Sequence, residues 1–202
     1  MKNKVITIAR QYGSRGREIG EKLAKKLHIP FHDKNIIERI VKEKGYSPEI
    51  LEQFDERKSQ SLLFSLAMNS YGNWYANDDY RPLQAAILKA QADVIKMMAL
   101  NPCVIIGRAA DSILDSDECI SIFVKASDEN RIDRIMKRQG CSEAEAVKAM
   151  KSTDKDRARF YQYYSDKKWG SAKTYDVTVD SGVLGVDKTV ELLTFYINLL
   201  EK

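Results

Sequence analysis

Residues 5–32 read VITIARQYGSRGREIGEKLAKKLHIPFH. The apolar run from Val5 to Ala9 is followed directly by Gly13, Ser14 and Gly16, as expected of a buried strand of a parallel sheet. From Arg17 the period changes. Ile19, Leu23, Ala24 and Leu27 recur at three- and four-residue steps, which places them on one face of a helix. Pro30 stops that helix, Ile29 to His32 forms a candidate second strand, and Asp33 is placed to cap another helix carrying Ile36, Ile37, Ile40 and Val41 up to Gly45.

The rest of the chain repeats this alternation. Helical spacing runs from Glu49 to Leu63 and from Pro82 to Leu100, around a polar, aromatic turn region, SYGNWYANDDYR. Cys103–Ile106 is a compact third strand closed by Gly107-Arg108, and Cys119–Lys125 is a fourth. Ser127 caps the next helix, and after the Gly140-Cys141 break Ser142 with Glu145 makes a capping box for a long helix to Tyr164. Tyr175–Val179 is a fifth strand, and Val186–Leu200 is a closing amphipathic helix. Strands that alternate with helices predict an α/β fold: one domain over residues 1–202, a five-stranded parallel sheet with helices on both faces, and a ligand site at the strands' carboxyl ends.

Composition narrows the function classes. The 202 residues are 44% hydrophobic, enough for a real core. Lys+Arg 33 against Asp+Glu 29 leaves +4, spread along the chain, so no nucleic-acid partner is expected. No apolar run approaches the ~20 residues of a membrane span, and MKNKVITIAR is too short in apolar residues for a signal peptide. Cys103, Cys119 and Cys141 form no CxxC pair, so plain thiols in a reducing cytoplasm are expected. His28 and His32 have no metal-ligand company. The metal ligands and the oligomeric state are not legible in the sequence.

Four segments could carry chemistry. In the turn after strand one, Gly13, Ser14, Arg15, Gly16, Arg17 and Glu18 combine glycines, which let backbone N–H groups turn inward, with a helix N-terminus. Phosphate is the expected guest. Against the pattern G-x-x-x-x-G-K-[ST], Gly16 fits the second glycine, while Gln11 replaces the first, Arg17 the lysine and Glu18 the magnesium-holding hydroxyl. The bland alternative is a glycine-containing connection with solvated arginines. Arg108, just past a buried strand, can fork onto a phosphate or carboxylate, or be an ordinary surface arginine. Arg131, Arg134 and Arg138 share one helical face, as a cationic stripe or as solvated charge. Arg157, Tyr161, Tyr164 and Lys168 also share a face, either to clasp a nucleotide or simply to pack.

The order of these features resembles the cytidylate kinases, in particular the divergent cytidylate kinase-like branch of the nucleoside monophosphate kinases. ITIARQYGSRGREIGEKLAKKL, FHDKNIIER, VIIGRAAD and the segment from Phe123 to Arg138 carry the resemblance. It implies a P-loop kinase fold with a helical monophosphate-binding insert at about 40–94 and a lid at about 136–170. ATP with Mg2+ would be the donor and nucleotides the partners. Ser14, Gly16 and Arg17 would lie in the ATP phosphate loop. Asp33 and Arg39 would flank the acceptor phosphate, Arg108 would grip it, Arg131 and Arg134 would lead into the lid, and Arg157 would reach the acceptor nucleotide. With Tyr161 beside Arg157, these residues make up the expected site.

Two departures bear on the substrate. Ala109 stands where cytidylate kinases carry an Asp that helps read cytosine, which leaves Asp111, two residues on, as the nearest carboxylate, and Lys34 replaces a serine. The expectation is ATP-dependent phosphoryl transfer to a nucleoside monophosphate, most plausibly CMP or dCMP. Alternatives are a catalytically degraded nucleotide-binding regulatory module and a P-loop kinase of another small metabolite.

Overall fold

The computed structural model describes residues 5–33 and 81–200, with side chains of the second stretch described from residue 88. The helices expected from Asp33 to Gly45 and from Glu49 to Leu63, and Arg39 with them, lie outside the described residues.

Five parallel strands form one sheet: β1 (Val5–Arg10), β2 (Phe31–His32), β3 (Val104–Ile106), β4 (Cys119–Lys125) and β5 (Val177–Asp180). Their order is β2-β3-β1-β4-β5. β1 is thus central, with β3 pairing Ile6 to Val104 on one side and β4 pairing Val5 to Cys119 on the other. The chain's progress across the sheet reverses at β1, so the crevice outside its carboxyl end is the natural ligand position.

The two faces follow the period of two. Ile6 and Ile8 point toward α1 (Gly16–Leu27) and α6 (Ser181–Leu200), joining Ile19, Leu23, Val190 and Leu193 in one core. Ile19 and Leu23 are fully buried, each contributing about 1.5–3 kcal/mol. Val5 and Ile105 point the other way, against Val94, Ile95 and Met98 of α2 (Arg81–Met98) and Ala110 of α3 (Ala110–Ile113). The described part of the expected insert, residues 81–94, therefore runs unbroken into a core helix. Gly20 lets α1 approach this closely, because a Cβ there would run into Ile106 and meet Ile8 at 3.2 Å.

α4 (Asp128–Gln139) starts at Ser127, whose Oγ accepts from Asn130, and stops at Gly140, with φ +63°. α5 (Glu143–Tyr164) begins with the complete Ser142–Glu145 capping box. A lid that moves freely from about Arg138 to Trp169 would have few apolar contacts with the core, and the packing differs. α5 buries Ala146 and Met150 against Ile135, and Phe160 and Tyr161 against Leu88 and Ala109. A short helical turn from Ser181 precedes the expected last helix, which begins at Val186 after a non-helical break at Gly185 (φ 71°, ψ 177°). Among the described residues no helix is long and apolar enough to cross a membrane.

Candidate active site

The loop from Gln11 to Gly16 is built by local hydrogen bonds. Gln11 stands where a glycine was expected and acts as a strut: its N–H donates to Val124 O at 3.0 Å, and its Oε1 accepts from Ala126 N at 3.1 Å. Ser14 is buried, its Oγ donating to Gln11 O at 2.9 Å, while its own carbonyl accepts from Ser181 Oγ at 2.6 Å. Gly13 has φ +84° and lies so close to α4 that a Cβ would stand 2.9 Å from Arg131 O. Arg15 caps α1 in the left-handed region (φ 61°) with no side-chain cap bond. The first N–H groups of α1 are the orphan donors of a helix start, suited to an anion.

Most charges expected to serve a ligand are held by other protein groups. Arg17 donates through Nε and Nη2 to Asp33 Oδ2, at 3.0 and 2.8 Å. Arg134 donates to Glu18 Oε2 at 2.9 Å. Arg131 is 4% exposed and spends its guanidinium on Tyr12 O (2.7 Å), Asp128 Oδ1 (3.0 Å) and Asp154 Oδ2. Asp154 Oδ1 also accepts from Tyr12 N at 2.7 Å. The Tyr12 ring lies between Arg138 and Arg157, with guanidinium carbons 5.0 and 5.5 Å from its centroid. Its hydroxyl accepts from Arg138 at 2.5 Å and from Gln139 at 2.9 Å. Tyr12 and Asp154 thus pin the loop to α4 and α5.

A second cluster lies at the ends of β1 and β3. Gly107 (φ 70°), Arg108 (φ 59°) and Ala109 (φ 52°) are three successive left-handed residues. For a non-glycine residue this conformation costs roughly 1–2 kcal/mol, and such strain clusters at ligand sites. Arg157 Nη1 donates to Arg10 O at 2.8 Å. Burial and then the charges of Arg157 and Arg108 push the Arg10 guanidinium well below its ordinary pKa, while Asp154 and Asp33 pull the other way. Burial also lowers Arg157, to about 10. The charges of Arg108 and Arg157, 49 positions apart by their numbers, both reach Arg10, a cation that the sequence reading did not single out. The available signal was an arginine ending the buried run VITIA.

Asp111 and Tyr161 meet directly, Tyr161 Oη donating to Asp111 Oδ2 at 2.6 Å. Burial raises the Asp111 carboxyl above the usual carboxylate range, a shift the Tyr161 hydrogen bond partly offsets. Tyr164 donates to Leu88 O at 3.2 Å.

The donors fit phosphate better than a protein-held magnesium ion. Glu18 occupies the place of the hydroxyl ligand with an oxygen taken by Arg134, and among the described residues no three His, Cys, Asp or Glu gather as a metal site.

A family model described as the cytidylate kinase-like family aligns with residues 5–183. The chain belongs to the cytidylate kinase-like family. Among solved structures, this family member is similar to an uncharacterized protein from Eubacterium ventriosum, 26% identical, with a TM-score of 0.73 over 96% of this chain and 98% of that one. Shikimate kinases from Bacteroides thetaiotaomicron (16% identical, TM-score 0.53, covering 98% and 99%) and Acinetobacter baumannii (10%, 0.52, 100% and 96%) share the fold. No curated protein matches the chain by sequence. The fold is that of P-loop kinases, and family and fold are those of a kinase acting on a nucleotide or another small molecule.

Proposed function

We propose that this cytidylate kinase-like chain transfers the γ-phosphoryl group of ATP to a nucleoside monophosphate, with CMP or dCMP as the leading acceptors. The observation that carries this reading is that the charges of Arg108 and Arg157 both bear on Arg10, the last residue of β1, beside the glycine loop. Guanidinium forks suit a phosphate oxygen pair. The loop amides would hold the donor's phosphates, and Arg108 with Arg157 the acceptor's, with Arg39 as the expected third member. Transfer then rests on in-line positioning and on neutralising the negative charge that develops. The acceptor phosphate is already ionised and needs no base, so Asp33 acts through its hold on Arg17. Asp111 with Tyr161 would offer polar edges to the base.

Residues 136–170 serve as the lid in this reading, closing to exclude water. Hydrogen exchange in that segment should slow when ATP and monophosphate are added together. The partners are nucleotides rather than nucleic acid or a membrane, in a cytoplasmic setting.

The test is ATP consumption screened against all nucleoside monophosphates. We expect turnover with CMP and, because Ala109 lacks a carboxylate, a CMP over UMP preference in kcat/KM below about tenfold, or about 1.4 kcal/mol. ATP consumption with none of them overturns the proposal. One observation favours a second reading, a nucleotide-binding regulatory module: Arg17, Glu18, Arg131 and Arg134 are all engaged by other protein groups. Tight ATP binding without turnover would support it.

A further inference from the structure

Arg10 ends β1, and its side chain lies under the loop rather than out in solvent. Two glycines make room for it. A Cβ on Gly16 would stand 2.5 Å from Arg10 Cβ, and a Cβ on Gly107 would run into Arg10 Nη1. These glycines come from different segments, the first residue of α1 and the residue after β3. Both are shaped around one arginine.

Arg10 is only partly exposed, and among the described residues no group accepts a hydrogen bond from its guanidinium or pairs with it as an ion. Of the charges that act on it, Arg157 and Arg108 repel it most strongly, while Asp154 and Asp33 attract it more weakly. A guanidinium carries five donors in a rigid fork, and withdrawing them from water without an acceptor is costly. Arg131, a few residues away in space, shows the contrast, since its guanidinium has three protein acceptors. Arg17, at the position of the usual loop lysine, is 61% exposed and forked onto Asp33 instead.

We infer that Arg10, delivered from the strand end through the gap left by Gly16 and Gly107, is the fixed cation that anchors a nucleotide's phosphate in this chain, in place of a cation on the first turn of α1. This inference rests on the phosphate-binding part of the function proposed above and not on its turnover or its acceptor. An anion seated at Arg10 would supply the acceptor that its guanidinium lacks and offset the repulsion it feels from Arg157 and Arg108. Arg17 stays with Asp33 and shapes the loop's flank.

Binding, not turnover, tests this, so a chain inactive toward every monophosphate still answers it. ATP and inorganic pyrophosphate would be titrated by calorimetry into wild type, Arg10→Gln, Arg10→Lys and Arg17→Gln, with melting temperatures taken with and without pyrophosphate. Arg10→Gln should weaken both ligands more than tenfold and lose the pyrophosphate-induced rise in melting temperature. Without ligand it should melt at or above wild type, since a repelled charge is gone. Arg10→Lys, which keeps the charge and loses the fork, should fall between the two, and Arg17→Gln should stay within threefold of wild type. ATP affinity within threefold of wild type in Arg10→Gln overturns the inference, and so does a loss in Arg17→Gln as large as that in Arg10→Gln. If Arg10→Gln does not fold, wild-type affinity in Arg10→Lys overturns it.

Discussion

Arg131 and Arg10 sit on opposite sides of one loop and are treated in opposite ways. On the α4 side Arg131 is fully engaged, with Tyr12, Asp128 and Asp154 accepting from it. On the strand side Arg10 faces Arg108 and Arg157 and has no carboxylate in bonding reach among the described residues. The first arrangement holds the loop in place, and the second leaves positive charge where an anion can collect it. Position in the sequence does not separate the two roles, but the count of acceptors does.

The comparison breaks most visibly at Arg131. Arg131→Ala would leave the Asp154 carboxylate and the Tyr12 carbonyl without their partner in a buried setting, a loss of about 3–5 kcal/mol. Urea unfolding should show it as a lower midpoint with an unchanged slope. A loss under 1 kcal/mol would mean that Arg131 is not the loop's anchor.

Asp111 sharpens the comparison from the acidic side, being a half-buried carboxyl held by the neutral Tyr161 hydroxyl. Its folded-state pKa is raised above the ordinary value, so its contribution to stability is complete below about pH 4 and is lost as pH rises through the folded value. Asp111→Asn cannot titrate. The melting temperature of wild type relative to Asp111→Asn should therefore fall from about pH 4 toward pH 7, and a constant difference across that range would contradict the assignment.

The smallest effect belongs to Arg17. Its pair with Asp33 is largely exposed on the arginine side, so Arg17→Ala should cost less than about 1 kcal/mol in urea unfolding. A loss comparable to that of Arg131→Ala would erase the distinction between the loop's inner and outer cations.

Local rules made much of the fold legible. β4 at Cys119–Lys125, the Ser127 cap and the Ser142–Glu145 box lie where their own side chains dictate. The fifth strand starts at Val177 rather than Tyr175, because the Tyr175 ring packs 5.0 Å from Phe123 and Asp176 Oδ2 accepts from Ser121. The short α3 and the left-handed run through Arg108 and Ala109 escaped the reading, since neither residue type favours that conformation. At the site, the family's order of motifs singled out Arg108 and Arg157, whose charges both act on Arg10. Arg10 did not, because apolar alternation says where a strand's side chains point but not which glycines, far apart in sequence, yield to its last one.

The central place of β1 also bears on how the chain is made. Val5–Arg10 is made well before either of its neighbours: Val104, paired with Ile6, follows 98 positions later, and Cys119, paired with Val5, 114 positions later. At about 5–20 residues per second that wait is on the order of ten seconds. Throughout it an apolar strand has both edges unpaired, open to association with other nascent chains. Ser14 cannot meet Ser181 until 167 further residues have been added. The loop is therefore synthesised long before it acquires its native contacts, and a chain cut short before Ser181 would carry the loop's whole sequence without the contact that closes it.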